Sequence, residues 1–499
     1  MSELQDLAAL VRSNTPLIVI ETPDEGRVVD LFRHVLMHVW RALFRWSITE
    51  GLRRVDLDVE EATPHAPDAG NTLRAIQQAE QRGIYLLLDF HPYLRYAATE
   101  RLLREVVQRR DCQEHTLVLV GARIELPEAL QSHAVSFSLH LPDQNALLKL
   151  VRDEAQIYAR ENAGKRVQVD ADALRALVRN LRGLNLTEAR RIARHLIFRD
   201  GAIGHDDLPE LNKLKFELLN RSGHLHFEYD TARFADVAGL ARLKTWVNQR
   251  RAVFAPAGAD QPGGIALDPP KGMLLLGVQG CGKSLAAKAV AGGLGVPLVR
   301  LDFGTLYNKY HGETEKNLRE ALQSAEQLEP CVLWMDEIEK GLAHSGSDSD
   351  GGVSRRVLGY LLTWMAERRS KVFIVATANQ VHELPPELLR KGRFDEIFFV
   401  DLPDMTARAE IFRIHLDRRR IDWGAFSLIT LADASDGFSG AEIEQAVVAA
   451  MYAAHAGSAP LSEAQLLAEL GNTRPLSVLM AEKVQALRDW ARERTVPAD

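Results

Sequence analysis

Apolar residues in this chain gather in short unbroken runs. Met273–Leu276, Cys331–Met335 and Val372–Thr377 are three of them, and Pro16–Ile20, Ile84–Leu88 and Thr116–Val120 are three more. Runs of this length, closed by polar or turn residues, read as strands buried on both faces. Between them the spacing turns helical. Leu285-Ala286-Ala287-Lys288-Ala289-Val290 reads as a helix, and so does a segment carrying Leu318, Leu322 and Leu328. Strand alternating with helix predicts parallel sheets covered by helices. Towards the end the strand signal stops. The runs Ser462–Leu470 and Ser477–Arg494 read as helices, the second carrying Val478, Leu479, Val484, Leu487 and Trp490 for packing across a subunit interface.

This pattern predicts an α/β chain in four parts: an α/β domain over 1–203, a helical linker over 204–232 with Leu211, Leu214, Phe216 and Leu218 as packing residues, a second α/β domain over 233–404, and a helical lid over 405–499. A length of 499 residues agrees with several cores rather than one. No apolar run approaches the roughly 20 residues of a membrane helix, and Met1–Asp6 lacks the basic start of a signal peptide. Cys112, Cys281 and Cys331 are far apart and lack metal spacing, which fits a reducing cytoplasm. A net charge of −7 provides no general basic footprint for nucleic acid, though a local basic groove stays compatible with it.

The chemistry concentrates in the second α/β domain. Gly277-Val278-Gln279-Gly280-Cys281-Gly282-Lys283-Ser284 joins a strand to a helix. Glycines let backbone N–H groups turn inward around a phosphate chain, and the helix start adds positive charge. Lys283 is placed for the β- and γ-phosphates and Ser284 for Mg²⁺, with Leu285 next in line. The strand ending at Asp336-Glu337 adds a carboxylate for the Mg²⁺ shell and a second, Glu337, to activate water. Asn379, after the next strand, orients that water or senses the γ-phosphate, or else sits in an ordinary turn. ATP and Mg²⁺ are the expected cofactors.

Leu384-Pro385-Pro386-Glu387-Leu388-Leu389-Arg390-Lys391-Gly392-Arg393-Phe394-Asp395 completes a set that resembles the AAA+ ATPases, in particular the AAA clade of ring-forming remodellers and unfoldases. The resemblance runs from about Phe234 to Ala454. It implies a P-loop AAA+ module, a doubly wound parallel sheet with a helical lid. It also implies a homo-oligomeric, hexameric ring in which Arg390 and Arg393 reach into the neighbouring subunit's ATP. By the same resemblance Asp236 and Ala238 line the adenine pocket, and Ile411 and His415, one helical turn apart, contact adenine from the lid. Gly440 and Ala441 belong to the lid turn that packs on the nucleotide. Tyr310-His311-Gly312 matches the loop lining the central pore, where Tyr310 presses on a threaded polypeptide or simply packs in a turn. Cys331–Lys340, Leu384–Asp401 and Pro475–Met480 resemble more narrowly the AAA proteins encoded as a conserved chloroplast reading frame and their bacterial relatives. Glu396 stands where the commoner unfoldases carry a basic residue.

The front domain reads as a degenerate AAA-like copy that does not hydrolyse ATP, the alternative being a generic α/β domain with coincidental strand endings. Its first strand is followed by Glu21-Thr22-Pro23-Asp24-Glu25 instead of a phosphate loop. Leu88-Asp89 is matched to Met335-Asp336, with Phe90 in the place of Glu337, and Gln131 stands where Arg390 would be. Gly183–Ala189 parallels the lid turn from Gly437. Three further features stay open. Cys281 is either a thiol made acidic by Lys283 and the helix start or a small residue that fits the turn. Ser345–Gly352 is a flexible loop. Arg355 and Arg356 either touch a neighbouring subunit or are solvated. His382-Glu383 lacks the second histidine of a zinc peptidase, so proteolysis is excluded. The function classes left are an ATP-driven remodeller of a protein client, an ATP-switched scaffold and a nucleic-acid-stimulated ATPase.

Overall fold

A computed structural model describes residues 3–57, 68–80, 82–108, 115–220, 223–229, 234–254, 267–306, 313–342 and 353–499. Packing divides the chain into two compact units, Met1–Pro142 with Asn185–Thr187, and Asp143–Leu184 with Glu188–Asp499. The sequence boundary near residue 203 falls inside the second unit.

The first unit is built on six strands: β1 (Leu17–Glu21), β2 (Ala42–Ser47), β3 (Gly51–Arg54), β4 (Gly83–Leu88), β5 (Thr116–Gly121) and β6 (Ala134–Ser136). They lie in the order β3-β2-β4-β5-β1-β6. Only β2–β3 is antiparallel. The central strands are apolar throughout because both faces are covered. Ile18, Ile20, Leu86 and Val118 face one core with Val28 and Phe32, while Leu17, Val19, Leu87 and Leu119 face another with Leu73 and Leu103.

In the second unit β7 (Gln168–Val169) and β8 (Ala202–Ile203) form a small parallel pair. The main sheet holds β9 (Leu225–Glu228), β10 (Gly272–Gly277), β11 (Leu298–Leu301), β12 (Cys331–Met335), β13 (Val372–Ala378), β14 (Glu396–Val400) and β15 (Val496–Pro497). Their order is β15-β14-β10-β13-β12-β11-β9, with β9 alone antiparallel.

The two sheets share one topology. From the strand before the first crossover, the first five parallel strands in both lie in the order fifth, first, fourth, third, second, with an antiparallel strand outside the second, and the second sheet adds β15 outside the fifth. Ile18, Val118, Leu86, Arg45 and Val135 form one row across the first sheet. Met273, Val375, Trp334, Arg300 and Glu396 form the corresponding row of the second. In this match the first sheet's strand-to-helix turn is three residues shorter: Ile18 to Glu25 is 7, and Met273 to Lys283 is 10. No phosphate loop fits in it. Asp24 caps the helix Glu25–Val35 there by accepting from the Arg27 N–H at 3.3 Å.

The lid consists of the helices Met405–Arg418, Leu428–Ala434, Gly440–Ala456 and Glu463–Asn472 around Phe412, Leu416, Leu431, Ile443, Val447 and Leu466. Burying a side chain such as Phe412 contributes on the order of 2–3 kcal/mol. The helix expected over Ser477–Arg494 is split at Met480 into Leu476–Leu479 and Ala481–Ala491. Its apolar residues divide between two fates. Leu487 and Trp490 pack on the chain's own core beside β12 and β13, whereas Val478 and Leu479 stay exposed. The segment then adds β15 to the sheet edge beside β14.

Candidate nucleotide site

The loop after β10 closes with Gly280 and Gly282 in the left-handed region, at φ 81° and 86°, and Gly282 caps the helix Lys283–Leu294. Gly280 has a second reason to be glycine. A Cβ there would lie 2.8 Å from Ser439 Oγ of the lid. The Ala441 N–H donates to the Gly280 carbonyl at 3.1 Å, so the lid turn is bonded directly to the loop. Ser439 and Glu442 form a capping box that fixes this turn.

Lys283 is buried, and its ammonium donates to the Gly277 and Val278 carbonyls at 2.9 and 2.8 Å. Burial pulls its pKa down to about 8, against the opposing pull of Glu339, Asp336 and Glu337. Ser284 Oγ lies 3.4 Å from Asp336 Oδ1. A hydroxyl facing a carboxylate is a hard-oxygen donor set that fits Mg²⁺ shared with phosphates and water.

Glu337 adopts φ 47°, its N–H donating to Thr377 Oγ1 at 3.0 Å. The same hydroxyl donates to Asp336 Oδ1 at 2.5 Å. Thr377 thus aligns both acids from the neighbouring strand. Asn379 Nδ2 donates to Glu337 Oε1 at 3.1 Å, and Lys340 Nζ meets Glu337 Oε2 at 2.5 Å. Glu339, 1 % exposed, accepts the Asn379 backbone N–H at 2.9 Å, and burial raises its pKa. Asn379 is therefore held by its backbone and aims its amide at the Glu337 carboxylate. These groups open onto a cavity of about 380 Å³, whose far wall is Met480, Lys483, Val484 and Leu487.

On the other side of the loop lies a cavity of about 270 Å³. Asp236, Ala238, Ile411 and His415, expected around the base, line it together with Gly280, Cys281, Gly282 and Leu285 of the loop and Gly440 and Ala441 of the lid turn. Burial lowers the His415 pKa, opposed by Glu444 at 3.5 Å. Of the two readings of Cys281, the small residue that fits the turn is the one burial favours. Burial pushes the Cys281 thiol up to about 12, outweighing the Lys283 charge that would make it acidic.

The loop and the acid pair lie within the stretch that a family model matches. The chain belongs to the AAA ATPases of the SpoVK-like type. Residues 273–402 match the ATPase family associated with various cellular activities (AAA), 3–139 the SpoVK-like AAA ATPase N-terminal domain, and 145–222 its second domain. The AAA domain-containing protein ycf46 of Guillardia theta is 34% identical over 98% of this chain and 95% of its own length. That of Trieres chinensis is 32% identical over 97% and 96%. The cell division cycle protein 48 homolog of Archaeoglobus fulgidus is 34% identical over 44% of this chain and 30% of its own length.

Within this AAA ATPase Arg390 and Arg393 stand apart from the other candidates. Both precede β14, which runs parallel to β10 with Glu396 beside Met273 and Val400 beside Gly277. Four residues of strand, roughly 13 Å, thus separate Glu396 from the level of the phosphate loop. Arg390 is exposed, and Arg393 keeps a buried Nε without a hydrogen-bond partner among the described residues. Tyr310, His311 and Gly312 lie outside the described residues, as does Ser345–Gly352; Arg356 is exposed. Thr377, Glu339 and Lys340 were missed from the sequence. Their signal was faint: a hydroxyl inside an apolar run and two more charges after Asp336-Glu337.

In the first unit the register corrects one correspondence. Leu88, not Asp89, falls at the level of Asp336, and Asp89 falls at that of Glu337. The acid that survives is thus the counterpart of the second carboxylate.

Proposed function

We propose that this chain is a Mg²⁺-dependent ATPase that works as a homo-oligomeric, hexameric ring in the cytoplasm and remodels or threads a protein client. The observation that carries the hydrolytic reading is the Asn379–Glu337 contact beside Lys283, Ser284 and Asp336. Lys283 and the loop N–H groups bind the phosphate chain, and Ser284 and Asp336 hold Mg²⁺. Mg²⁺, when bound, supplies neutralising charge to the phosphates. Glu337 accepts the proton of the attacking water, and Asn379 orients both. The products are ADP and phosphate.

Arg390 and Arg393 lie before β14, at the opposite end of the strands from their own loop, which supports a shared site in which they complete a neighbour's. Tyr310 is the residue we assign to gripping the client. The experiment is purification of Glu337→Gln with ATP from its native cell, with and without Tyr310→Ala. A co-purifying protein lost on Tyr310→Ala supports threading. Partners kept regardless of Tyr310 make it an ATP-switched scaffold, and co-purifying nucleic acid makes it a nucleic-acid-stimulated ATPase.

A further inference from the structure

The loop 236–240 forms one wall of the base cavity, with Val237 and Leu240 buried in the core beside it. Gly239 and Leu240 are successive left-handed residues, at φ 63° and 58°. Such a turn costs energy at leucine and persists only when its surroundings hold it. Two groups from outside do so. Lys244 Nζ donates to the Val237 carbonyl at 2.6 Å. At the other end Asp499 Oδ1 accepts the Ala241 N–H at 3.3 Å, at the start of the helix Ala241–Phe254.

Asp499 is brought there by a strand that the hydrophobic pattern does not reveal. Val496 and Pro497 pair with Phe398 and Phe399 at the edge of β14. Ala498, 1 % exposed, donates its N–H to the Phe399 carbonyl at 2.9 Å and accepts the Leu243 N–H at 3.1 Å. The segment therefore bridges β14 and the helix behind the base loop. Asp499 itself lines the base cavity. A Cβ on Gly239 would lie 2.9 Å from its Oδ1, so loop and carboxylate are packed without slack.

We propose that segment 496–499 completes the base wall of the nucleotide site, and that Asp499 is a positioning residue that sets nucleotide affinity by holding the loop 236–240 in its left-handed turn. This rests on the nucleotide-binding part of the function proposed above. It places no new group on the phosphates, so its effect is on binding and not on the chemical step. It also makes affinity depend on a strand at the sheet edge: whatever displaces 496–499 from β14 weakens the grip on the base.

The test uses the full chain as wild type, Asp499→Ala, Asp499→Asn and a variant lacking 496–499. A fluorescent N-methylanthraniloyl ADP reports Kd, and phosphate release reports KM and kcat. Loss of one hydrogen bond to an ionised acceptor predicts a Kd and KM about tenfold higher for Asp499→Ala, with kcat within about twofold. Asp499→Asn, whose amide oxygen still accepts the Ala241 N–H, stays near wild type, and the shortened chain is at least as weak as Asp499→Ala. An unchanged Kd in Asp499→Ala overturns the proposal. So does an Asn variant as weak as Ala, or a loss confined to kcat. A wild-type protein that binds the analogue but releases no phosphate instead defeats the hydrolytic reading and leaves the Kd comparison intact.

Discussion

Asp89 and Glu337 stand at the same point of two sheets with the same strand order. Each has φ 47°. Each donates its backbone N–H to the matched residue of the neighbouring strand, Asp89 to the Val120 carbonyl at 2.8 Å and Glu337 to Thr377 Oγ1 at 3.0 Å. A left-handed acid that survives in both places is a property of the topology, which turns the chain sharply at the end of that strand. The chemistry differs because only Glu337 faces a phosphate loop. Asp89→Ala should leave ATP turnover within about twofold, whereas Glu337→Gln should lower kcat by about 10²–10⁴ while ATP still binds. Phosphate release and nucleotide binding on both variants check this. A large loss in Asp89→Ala would mean that the front sheet takes part in hydrolysis.

If Lys283 binds the phosphates as proposed, its burial should make nucleotide affinity sensitive to pH. Its folded pKa of about 8 lies below the ordinary 10.5 because burial disfavours the charge. Below pH 8 the group is charged in the folded protein and burial of that charge opposes stability. As pH rises from 8 towards 10.5 the unfolded chain holds the proton and the folded one does not, so this group's opposition is relieved and stability rises. Affinity moves the other way, since the phosphates need the ammonium. Titration calorimetry should show a constant ATP Kd from pH 6.5 to 7.5 and a rise of up to about tenfold per pH unit above 8. A flat profile to pH 9.5 would contradict it.

Cys281 should resist alkylation. With the thiol pushed up to about 12, little thiolate exists at neutral pH. Peptide mapping after iodoacetamide should show Cys281 labelled more than about tenfold slower than a free thiol, with a rate still rising beyond pH 9. Labelling at the free-thiol rate would mean that the charge of Lys283 prevails over burial.

If Arg390 and Arg393 serve a neighbouring site, activity depends on assembly. Glu337→Gln and Arg393→Ala should each lack turnover alone, the arginine loss reaching about 10³. Mixed, they should recover activity, because some interfaces join an intact Glu337 to an intact Arg393. Phosphate release across mixing ratios reads this. A mixture no more active than its parts would place the arginine's role within its own subunit.

Much of the site was legible because its parts are local in sequence. The glycines before Lys283, the acids closing a buried strand and the polar end of the next strand each carry their meaning within a few residues. The parts that were not legible depend on strand pairing. Thr377 aligns Asp336 and Glu337 only because β13 lies beside β12. Glu339 holds Asn379 only through the turn that follows β12. β15 spans two residues, one of them proline, too short for any periodic signal. The level of Asp89 was misjudged by one residue because apolar runs do not reveal register.

By itself the sequence determined that two parallel-rich sheets form, and that one carries a loop with glycines and lysine followed by paired acids while the other lacks those glycines and that lysine. Continuous apolar runs require cover on both faces, and a loop lacking glycines and lysine cannot wrap a phosphate chain. Tertiary structure decided what those residues experience. Burial made Lys283 less basic and Cys281 less acidic, because a low-dielectric surrounding penalises charge whatever the neighbouring residue. It also decided that residues 496–499 reach the base cavity beside residues 236–241, a contact across some 260 positions that no local pattern encodes.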